Sequence, residues 1–358
     1  MPNNTPIRAL LIEPVPVASV YFDVRATADV PIRWRALAGR LAEDGAPTQI
    51  IDALERRVLD AVPGPGVLAA FAHGTTVRFA VDLPDLSMPD TARYGALPYL
   101  RPLLAWEQDH PARVLAVLDR TGADLSVYAA GSTSPVDTTV TGPDDEIERN
   151  APGGWAQGRY QHRAEDSWEH NAVAVAEVLA RLVKRFDARV LLLAGDVRAL
   201  QYLDEHLPRW IHTGVTVRRV TGGRSEDGSA ERRTGQLAVQ TRQIVAEQNA
   251  GLLAEFAAHV GTGGSAVQGA GDTVAALAAG RVRVLLLPAT PSPDTRAWFG
   301  PAPTAVDLRP DQLRQAGIPA YEAALEDVAI RAAVLTDAEI RIIENGPPPI
   351  AALCRFTP

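Results

Sequence analysis

GGWAQGRYQHRAEDSWEHNAVAVAEVLARLVKRF, at residues 153–186, contains the strongest helical pattern in the chain. Apolar and aromatic residues recur there at three- and four-residue steps and predict one long amphipathic helix: Trp168, Ala172, Val175, Leu179, Leu182 and Phe186. The run VLLLA at 190–194 follows it, and a short continuous apolar run of this kind is typical of a strand buried on both faces. A helix that leads into a buried strand indicates the α/β class.

A cluster of glycine, aromatic, amide and basic residues lies at the start of this pattern and forms the candidate RNA-binding site. Its members are Gly153, Gly154, Trp155, Gln157, Arg159, Tyr160, Gln161, His162 and Arg163. Glycine has no Cβ, so adjacent glycines let the backbone approach a partner closely. Guanidinium groups bind phosphate, and aromatic rings stack on exposed bases. The cluster predicts a loop that enters RNA; a turn and helix start with ordinary surface charge would explain the same residues.

Outward from this stretch, proline- and glycine-rich segments predict three domains, at residues 1–111, 112–240 and 241–358. In the first, helices are expected at 34–44, after Pro47 and at 100–107, a hairpin at 67–81, and irregular structure at 84–98. In the second, strands are expected at 114–118, 125–128, 136–140, 190–194 and 215–220, a helix at 197–207, and a polar loop at 222–235. In the third, helices are expected at 240–258, 272–279 and 321–335, strands at 282–287, 339–343 and 351–356, and irregular structure at 288–310.

The composition is that of a globular protein, with 46% hydrophobic and 22% charged residues among 358. The formal net charge of −8 excludes a general nucleic-acid coating protein, which would be basic. RNA binding would therefore use local basic patches on an acidic body, with a protein partner assisting. The single cysteine, Cys354, excludes an internal disulfide and fits a reducing compartment. With no signal-peptide pattern and no long apolar run, we expect a cytoplasmic protein without a membrane partner.

The common catalytic and metal-binding motifs are absent from the sequence. There is no CxxC, HExxH or Gly-x-Ser-x-Gly, and the glycines at 261–264 lack the Lys-Ser/Thr of a phosphate loop. Asp119 and Asp196 each follow an expected buried strand, and together they would suit a metal-dependent nuclease. No third carboxylate with convincing spacing accompanies them, and each also reads as a cap at the end of a strand. We therefore expect no metal and no cofactor.

Three segments, in order, resemble the archaeo-eukaryotic class-1 release factor and Pelota superfamily. They are RVLAVLDRTGADL at 113–125, the Gly153-Gly154 segment with its helix and VLLLAGD at 190–196, and VQGAGDTVAALAAGRVRVLLL at 267–287 with AALCRF at 351–356. The resemblance is strongest to the bacterial branch that includes the Balon-like ribosome hibernation factors of actinobacterial type.

This resemblance implies a three-domain, tRNA-shaped protein that enters the ribosomal A site. The N-terminal domain would face the decoding centre, and the central mixed-sheet domain, with its Gly-Gly-Trp loop, would reach the peptidyl transferase centre. The C-terminal α/β sandwich domain would contact a translational GTPase, which in the Balon-like branch is elongation factor Tu. The implied partners are therefore 16S and 23S rRNA and elongation factor Tu, with no DNA partner.

Two departures from the release factors shape the expected function. The family's Gly-Gly-Gln motif has Trp155 at its third position here, with Gln157 two residues further on. An indole has one N–H donor and no acceptor, so it cannot position water as a carboxamide can. The N-terminal domain also lacks the expected stop-codon-reading motifs. We therefore expect a non-enzymatic hibernation factor that protects the A site; the alternatives are a peptidyl-tRNA hydrolase or rescue release factor using Gln157, and an acidic α/β protein unrelated to ribosomes.

Overall fold

The computed structural model describes residues 5–141, 156–224, 229–260, 265–290, 295–344 and 346–356. These residues belong to two compact units, one made of Met1–Trp106 with Asn249–Pro358 and the other of Glu107–Gln248. Helices and strands alternate in both units, so the predicted α/β class is confirmed. The division into three domains and the tRNA-like shape stay predictions.

The first half of the first unit is built on a four-stranded antiparallel sheet with strand order β3-β2-β1-β4. Its elements are α1 (Thr5–Ile12), β1 (Val17–Asp23), α2 (Val30–Glu43), α3 (Thr48–Leu59), β2 (Gly66–His73), β3 (Thr76–Pro84), β4 (Thr91–Gly95) and α4 (Arg101–Asp109). Successive residues of a strand point to opposite faces. In β1, Ala18, Val20 and Phe22 pack with α2 and α3, whereas Val17 and Tyr21 lie in the core on the other face.

The second half of this unit has a four-stranded mixed sheet of order β10-β16-β11-β15 and a three-stranded sheet of order β13-β12-β14. Its elements are β10 (Ala266–Gln268), α9 (Ala270–Ala278), β11 (Val282–Pro288), β12 (Arg296–Phe299), β13 (Val306–Asp307), α10 (Pro310–Gln315), β14 (Tyr321–Ala324), α11 (Leu325–Leu335), β15 (Glu339–Ile343) and β16 (Ala351–Cys354). One face of the larger sheet packs in the core that holds α9 and α11. The other packs against Phe256 near the end of α8 (Ser229–His259), which confirms the predicted α/β sandwich.

The second unit has a five-stranded mixed sheet of order β7-β6-β5-β8-β9. Its elements are β5 (Arg113–Asp119), β6 (Gly122–Tyr128), β7 (Val136–Thr141), α5 (Ala156–Phe186), β8 (Val190–Gly195), α6 (Val197–His206), α7 (Arg209–Gly214) and β9 (Thr216–Arg219), together with the start of α8. The pairs β5–β6 and β6–β7 are antiparallel, and β5–β8 and β8–β9 are parallel. The mixed-sheet prediction is confirmed.

Four local predictions are wrong, three about strands that pair with other segments of the chain and one about the start of a helix. The segment expected to be irregular at 84–98 contains β4, and the one at 288–310 contains β12 and β13. Residues 321–324 form β14 against β12, so α11 begins at Leu325 rather than Tyr321. Helix α8 begins at Ser229, inside the expected loop at 222–235. The element β1, although buried on both faces like β8, has no prediction.

A buried arginine joins the start of the chain to its C-terminal third. Arg331 on α11 has no solvent exposure, and its guanidinium donates to the carbonyl oxygens of Leu11 at 3.0 Å, Pro301 at 2.8 Å and Ala302 at 3.4 Å. It also lies 5.1 Å from the centre of the Phe299 ring. Burial lowers the pKa of Arg331. A buried cation is tolerated when its N–H groups are hydrogen-bonded, so these carbonyls and the guanidinium depend on one another.

A second arginine supports the same junction from the other side. Arg8 on α1 donates to the carbonyl oxygens of Val334 at 2.8 Å and Leu335 at 3.2 Å, and pairs with Asp337 at 2.9 Å. These carbonyls belong to the last turn of α11, where a cation complements the helix dipole. The first helix of the chain is therefore held against α11.

The half-buried acid Asp327, in the first turn of α11, has an unusual proton affinity. Burial, and then the neighbouring charge of Glu326, raise the pKa of Asp327 to about 7, while the guanidinium groups of Arg93, Arg296 and Arg101 act in the opposite direction. The neighbouring Glu326 is paired with Arg101. Glu326 therefore has a direct partner, and Asp327 is the acid of this turn that titrates near neutral pH.

Within the described residues, no helix combines the length and the apolar character required to cross a lipid bilayer.

Replacing Arg331 with methionine tests the junction, because methionine has a similar length but donates no hydrogen bond. The carbonyl oxygen of Leu11 would remain buried without a donor, and the more exposed carbonyls of Pro301 and Ala302 would lose theirs, so we expect Arg331→Met to lower the free energy of unfolding by about 1–3 kcal/mol. Urea denaturation of the full chain measures this. The exposed Arg314→Met on α10 is the control and should change stability by less than about 0.5 kcal/mol. Equal stability of the two variants would contradict the role given to Arg331.

The raised pKa of Asp327 predicts a pH-dependent stability. Asp327 keeps its proton to about pH 7 when folded but loses it near its ordinary value of 3.8 when unfolded. The free energy of unfolding therefore falls as the pH rises from about 4 to about 7, and the loss is complete above that range. The substitution Asp327→Asn removes this ionisation. The free energy of unfolding of the variant, relative to that of the parent chain, should therefore be about 2–3 kcal/mol higher at pH 8 than at pH 5.

Urea denaturation at the two pH values measures this difference. The exposed Asp311→Asn, in the first turn of α10, is the control. Its stability relative to the parent chain should be the same at pH 5 and pH 8. A pH-independent effect of Asp327→Asn would show that its carboxyl titrates normally.

Candidate nucleic-acid interface

The predicted RNA-binding residues lie at the start of α5 and just before it. Gly153, Gly154 and Trp155 are outside the described residues. The remaining members belong to the first two turns of α5, and their side chains are outside the description as well: Gln157, Arg159, Tyr160, Gln161, His162 and Arg163. The assignment of these nine residues therefore stays a prediction. What the structure defines is the support on which they are carried.

Helix α5 is attached to the sheet at Trp168 and Asn171. Trp168 packs against the core of this unit, and Asn171, which is 6% exposed, donates its Nδ2 hydrogen to the carbonyl oxygen of Arg120 at 2.7 Å. Arg120 lies in the turn that joins β5 to β6, at the edge where β5 ends. Counted from Ala156, about 15 residues of α5 precede Asn171, which corresponds to roughly 22 Å of helix. The predicted RNA-binding residues that belong to α5 are at the beginning of this segment, about two to four turns before Asn171.

The turn that receives Asn171 is held by the carboxylate of Asp119. One oxygen, Oδ1, accepts from the Thr121 amide at 2.7 Å, the Thr121 hydroxyl at 2.7 Å and the Gly122 amide at 3.1 Å. Gly122 has φ = +147°, and a Cβ there would lie 1.9 Å from the carbonyl oxygen of Val140. Only glycine fits at this position, so the backbone conformation of the turn between β5 and β6 depends on Gly122.

Arg224, which follows β9, ties this turn to β6. Its Nη1 donates to Asp119 at 2.8 Å, and its Nε and Nη2 donate to the two oxygens of Asp124 at 3.0 Å each. Burial raises the pKa of Asp119. The hydrogen bonds from Thr121 and then Arg224 lower the pKa by more than burial raises it, so the net shift is downward. The hydrogen bonds that Arg224 donates to the Asp124 carboxylate are the largest cause of the raised pKa of Arg224. Both groups are therefore charged at neutral pH and serve to hold the turn.

Asp196 lies next to Asp119 at the same edge of the sheet, but its carboxylate has a different structural role. Leu118 pairs with Gly195 in the parallel ladder, so the two aspartates follow neighbouring strand ends. The Asp196 side chain caps α6 by accepting from the amides of Arg198 at 2.7 Å and Ala199 at 3.4 Å. No group of three or more metal-binding side chains occurs in the part of the chain that the structure describes. The arrangement offers no support for the metal-dependent nuclease considered from the sequence.

The acidic residue Glu169 on α5 has a described contact with α6. Glu169 Oε1 lies 3.7 Å from Nε2 of His206 on α6, an ion pair when the histidine is protonated. This contact connects the two helices and gives Glu169 a structural role.

Two exposed arginines at this edge were not among the residues predicted from the sequence. Arg120 lies in the β5–β6 turn and Arg198 in the first turn of α6, beside Val197, whose side chain is 68% exposed. Both follow the carboxyl ends of neighbouring parallel strands, at the edge where α5 is attached. The only available signal was an arginine directly after a strand end, which is common on protein surfaces. We include both in the candidate interface because the sheet places them beside the attachment of α5.

Comparison with known proteins gives a family match to the central part of this chain. The model of "bacterial archaeo-eukaryotic release factor family 2" matches residues 112–262. This range contains the whole second unit from β5 onward, including the Gly153–Arg163 stretch and α5.

Two proteins of Mycobacterium tuberculosis are similar over nearly the whole chain. They are MT2704 from strain CDC 1551 and Rv2629 from strain H37Rv, each 31% identical over 365 residues, which span 98% of this chain and 96% of the relative.

The similar solved structures are more distant in sequence. An archaeal translation termination factor, aRF1, has 14% identity and a TM-score of 0.25, covering 95% of this chain and 92% of its own. A ribosome-bound archaeal Pelota has 12% identity and a TM-score of 0.41, covering 99% of this chain and 94% of its own. At these scores the likeness carries no argument about function.

Proposed function

We propose that this chain, which belongs to the bacterial branch of the archaeo-eukaryotic release factor superfamily, is a translation factor that binds the ribosome. The observation that carries the proposal is the family match at residues 112–262, because it encloses the glycine, aromatic and basic cluster together with its supporting helix. Release factors act on the ribosome, and this cluster has the composition required to contact RNA phosphates and bases.

In its finer form, the proposal is a ribosome hibernation factor of the Balon-like type. The chain would occupy the A site of idle ribosomes, contact 16S and 23S rRNA, and be delivered or retained with the help of elongation factor Tu. The support for this form is the pairing of a release-factor-like central unit with a loop that lacks the glutamine of Gly-Gly-Gln. Such a chain keeps the means of binding and lacks the usual means of hydrolysis.

The charge distribution is consistent with a local contact to RNA by a protein whose overall negative charge repels RNA. The net charge of −8 disfavours binding to RNA by the protein as a whole, so affinity has to come from clustered cations. Arg159 and Arg163 are one helical turn apart on α5, and Arg120 and Arg198 lie at the edge where that helix is attached. Each phosphate contact made by such groups releases counterions, which makes binding dependent on salt.

The attachment of α5 supports the same function mechanically. A contact that must reach into a crevice benefits from a stiff support, and a helix anchored through Asn171 and Trp168 provides one. The glycines at 153 and 154 then allow close backbone approach at the far end. Trp155 presents an indole that can stack on an unpaired base.

Charge reversal on α5 tests the binding. We expect Arg159→Glu/Arg163→Glu to weaken co-sedimentation with ribosomes at least tenfold at physiological salt, because two phosphate contacts become repulsive. The slope of log affinity against log salt should fall by roughly two. The matched control is Arg181→Glu/Arg185→Glu, a reversal with the same spacing at exposed positions near the other end of α5.

The control should bind like the parent chain apart from a small general effect of the added negative charge. Equal weakening of both variants would show that net charge governs binding and that the start of α5 has no special part. Retention of full binding by Arg159→Glu/Arg163→Glu would overturn the proposed interface.

The absence of hydrolysis is tested on ribosomes that carry peptidyl-tRNA. We expect no release of peptide even when the protein is equimolar with the ribosomes, because Trp155 cannot position water as glutamine does. Release that disappears in Gln157→Ala but persists in Gln161→Ala would instead identify a peptidyl-tRNA hydrolase or rescue release factor. Release that is insensitive to both substitutions would also contradict the non-enzymatic assignment.

A further inference from the structure

A cavity of about 440 Å³ lies within the first unit. Its walls are the end of α2, the strand β4 with the residues after it, and the β14–α11 connection. This volume is in the range of small-molecule sites and is enough for a mononucleotide. The charged side chains of its lining decide what kind of ligand fits.

Asp327 supplies the acceptor of this cavity. It lines the wall, it is half-buried, and among the described residues no hydrogen bond or ion pair engages its carboxylate. This differs from its neighbour Glu326, which is paired with Arg101. A half-buried carboxylate that faces a cavity and has no partner among the described residues can accept hydrogen bonds from a ligand with N–H donors.

Arg93 supplies a flat surface in the same cavity. Its guanidinium lies 3.8 Å from the centre of the Tyr99 ring, which holds it over the aromatic face. Both residues line the cavity. A guanidinium held in this way is a platform on which a planar base can stack, since arginine stacks on aromatic systems.

The remaining charges define the other end of the ligand. Arg40 and Arg296 also line the cavity. Arg296 forms an ion pair with Glu322, with 3.2 Å between Nε and Oε1, whereas no described group is paired with Arg40. Asp44 is engaged by the amide of Tyr94 at 3.1 Å. Arg40 is therefore an exposed cation available to an anionic group, and the acids Glu43 and Asp44 follow it in the same wall.

The ligand must then present N–H donors, a planar face and an anion together. A simple cation is disfavoured by three arginines, and a simple anion is disfavoured by Asp327 and Glu43. We propose that this cavity is a guanine nucleotide site. Guanine offers two adjacent N–H donors on its Watson–Crick edge, which match both oxygens of the Asp327 carboxylate, while the ring stacks on Arg93 and the phosphate meets Arg40. Adenine has one donor and one acceptor on that edge and can satisfy the carboxylate only once.

Isothermal titration calorimetry of the full-length chain with GMP and AMP at pH 8, where the Asp327 carboxyl is ionised, tests this assignment. We expect GMP to bind at least tenfold more tightly than AMP. Asp327→Asn replaces an acceptor with a donor and should weaken GMP binding at least tenfold, whereas Asp311→Asn should leave it unchanged. Because Asp327→Asn is expected to stabilise the fold at neutral pH, a loss of binding in that variant would reflect the lost acceptor. Arg93→Ala should weaken both nucleotides by removing the stacking surface.

Three results would overturn the proposal: no heat of binding with GMP at millimolar concentration, equal affinity for GMP and AMP, or unchanged GMP affinity in Asp327→Asn. The test uses the chain without ribosomes, and the ribosome assay uses substitutions in the second unit. Failure of one proposal is therefore distinguishable from failure of the other.

Discussion

The first unit depends on the guanidinium of Arg331, a cation in an apolar core whose N–H groups are used by backbone carbonyls from distant parts of the chain. Leu11 belongs to the first helix, and Pro301 and Ala302 follow β12. Moving any of these segments away would leave a buried cation with fewer acceptors, which is costly, and moving α1 would also leave the buried carbonyl of Leu11 without its donor. The N-terminal sheet and the C-terminal sheets consequently share one core. This sharing also creates the cavity beside Asp327, whose walls come from both halves of the unit.

The second unit uses a different constraint, the close approach of backbone at the edge of its sheet. At Gly195, as at Gly122, φ is positive and a Cβ would collide with a carbonyl oxygen, here that of Leu118. These approaches set the turn that accepts the Asn171 amide, and Arg224 holds the same turn through Asp119 and Asp124. The proposed RNA contact thus rests on a helix whose attachment is polar and specific. A change in this turn would alter the direction of α5 as well as local stability.

The parts of the fold that could be predicted from sequence are those with a local signal. The periodic apolar residues of α5, the continuous run of β8 and the hairpin of β5 and β6 were predicted within a few residues of their observed bounds. The strands β1, β4, β12 and β14 were missed because they are short or buried on both faces, and their partners are far along the chain. The same division applies to the site: the cluster at 153–163 is a local composition signal, whereas Arg120 and Arg198 join the candidate interface only through the pairing of β5 with β8.

The sequence by itself determined the α/β class, the central helix with its adjoining buried strand, and the family to which the chain belongs. Each of these depends on patterns within continuous segments of the sequence. Only the tertiary structure decided that residues near the two ends of the chain share a core, that Asp119 and Asp196 are structural caps, and that Asp327 faces a cavity. The physical reason is that burial and pairing depend on groups separated by tens to hundreds of residues. Arg331 and Leu11 illustrate it, since nothing in the neighbourhood of either residue indicates the other.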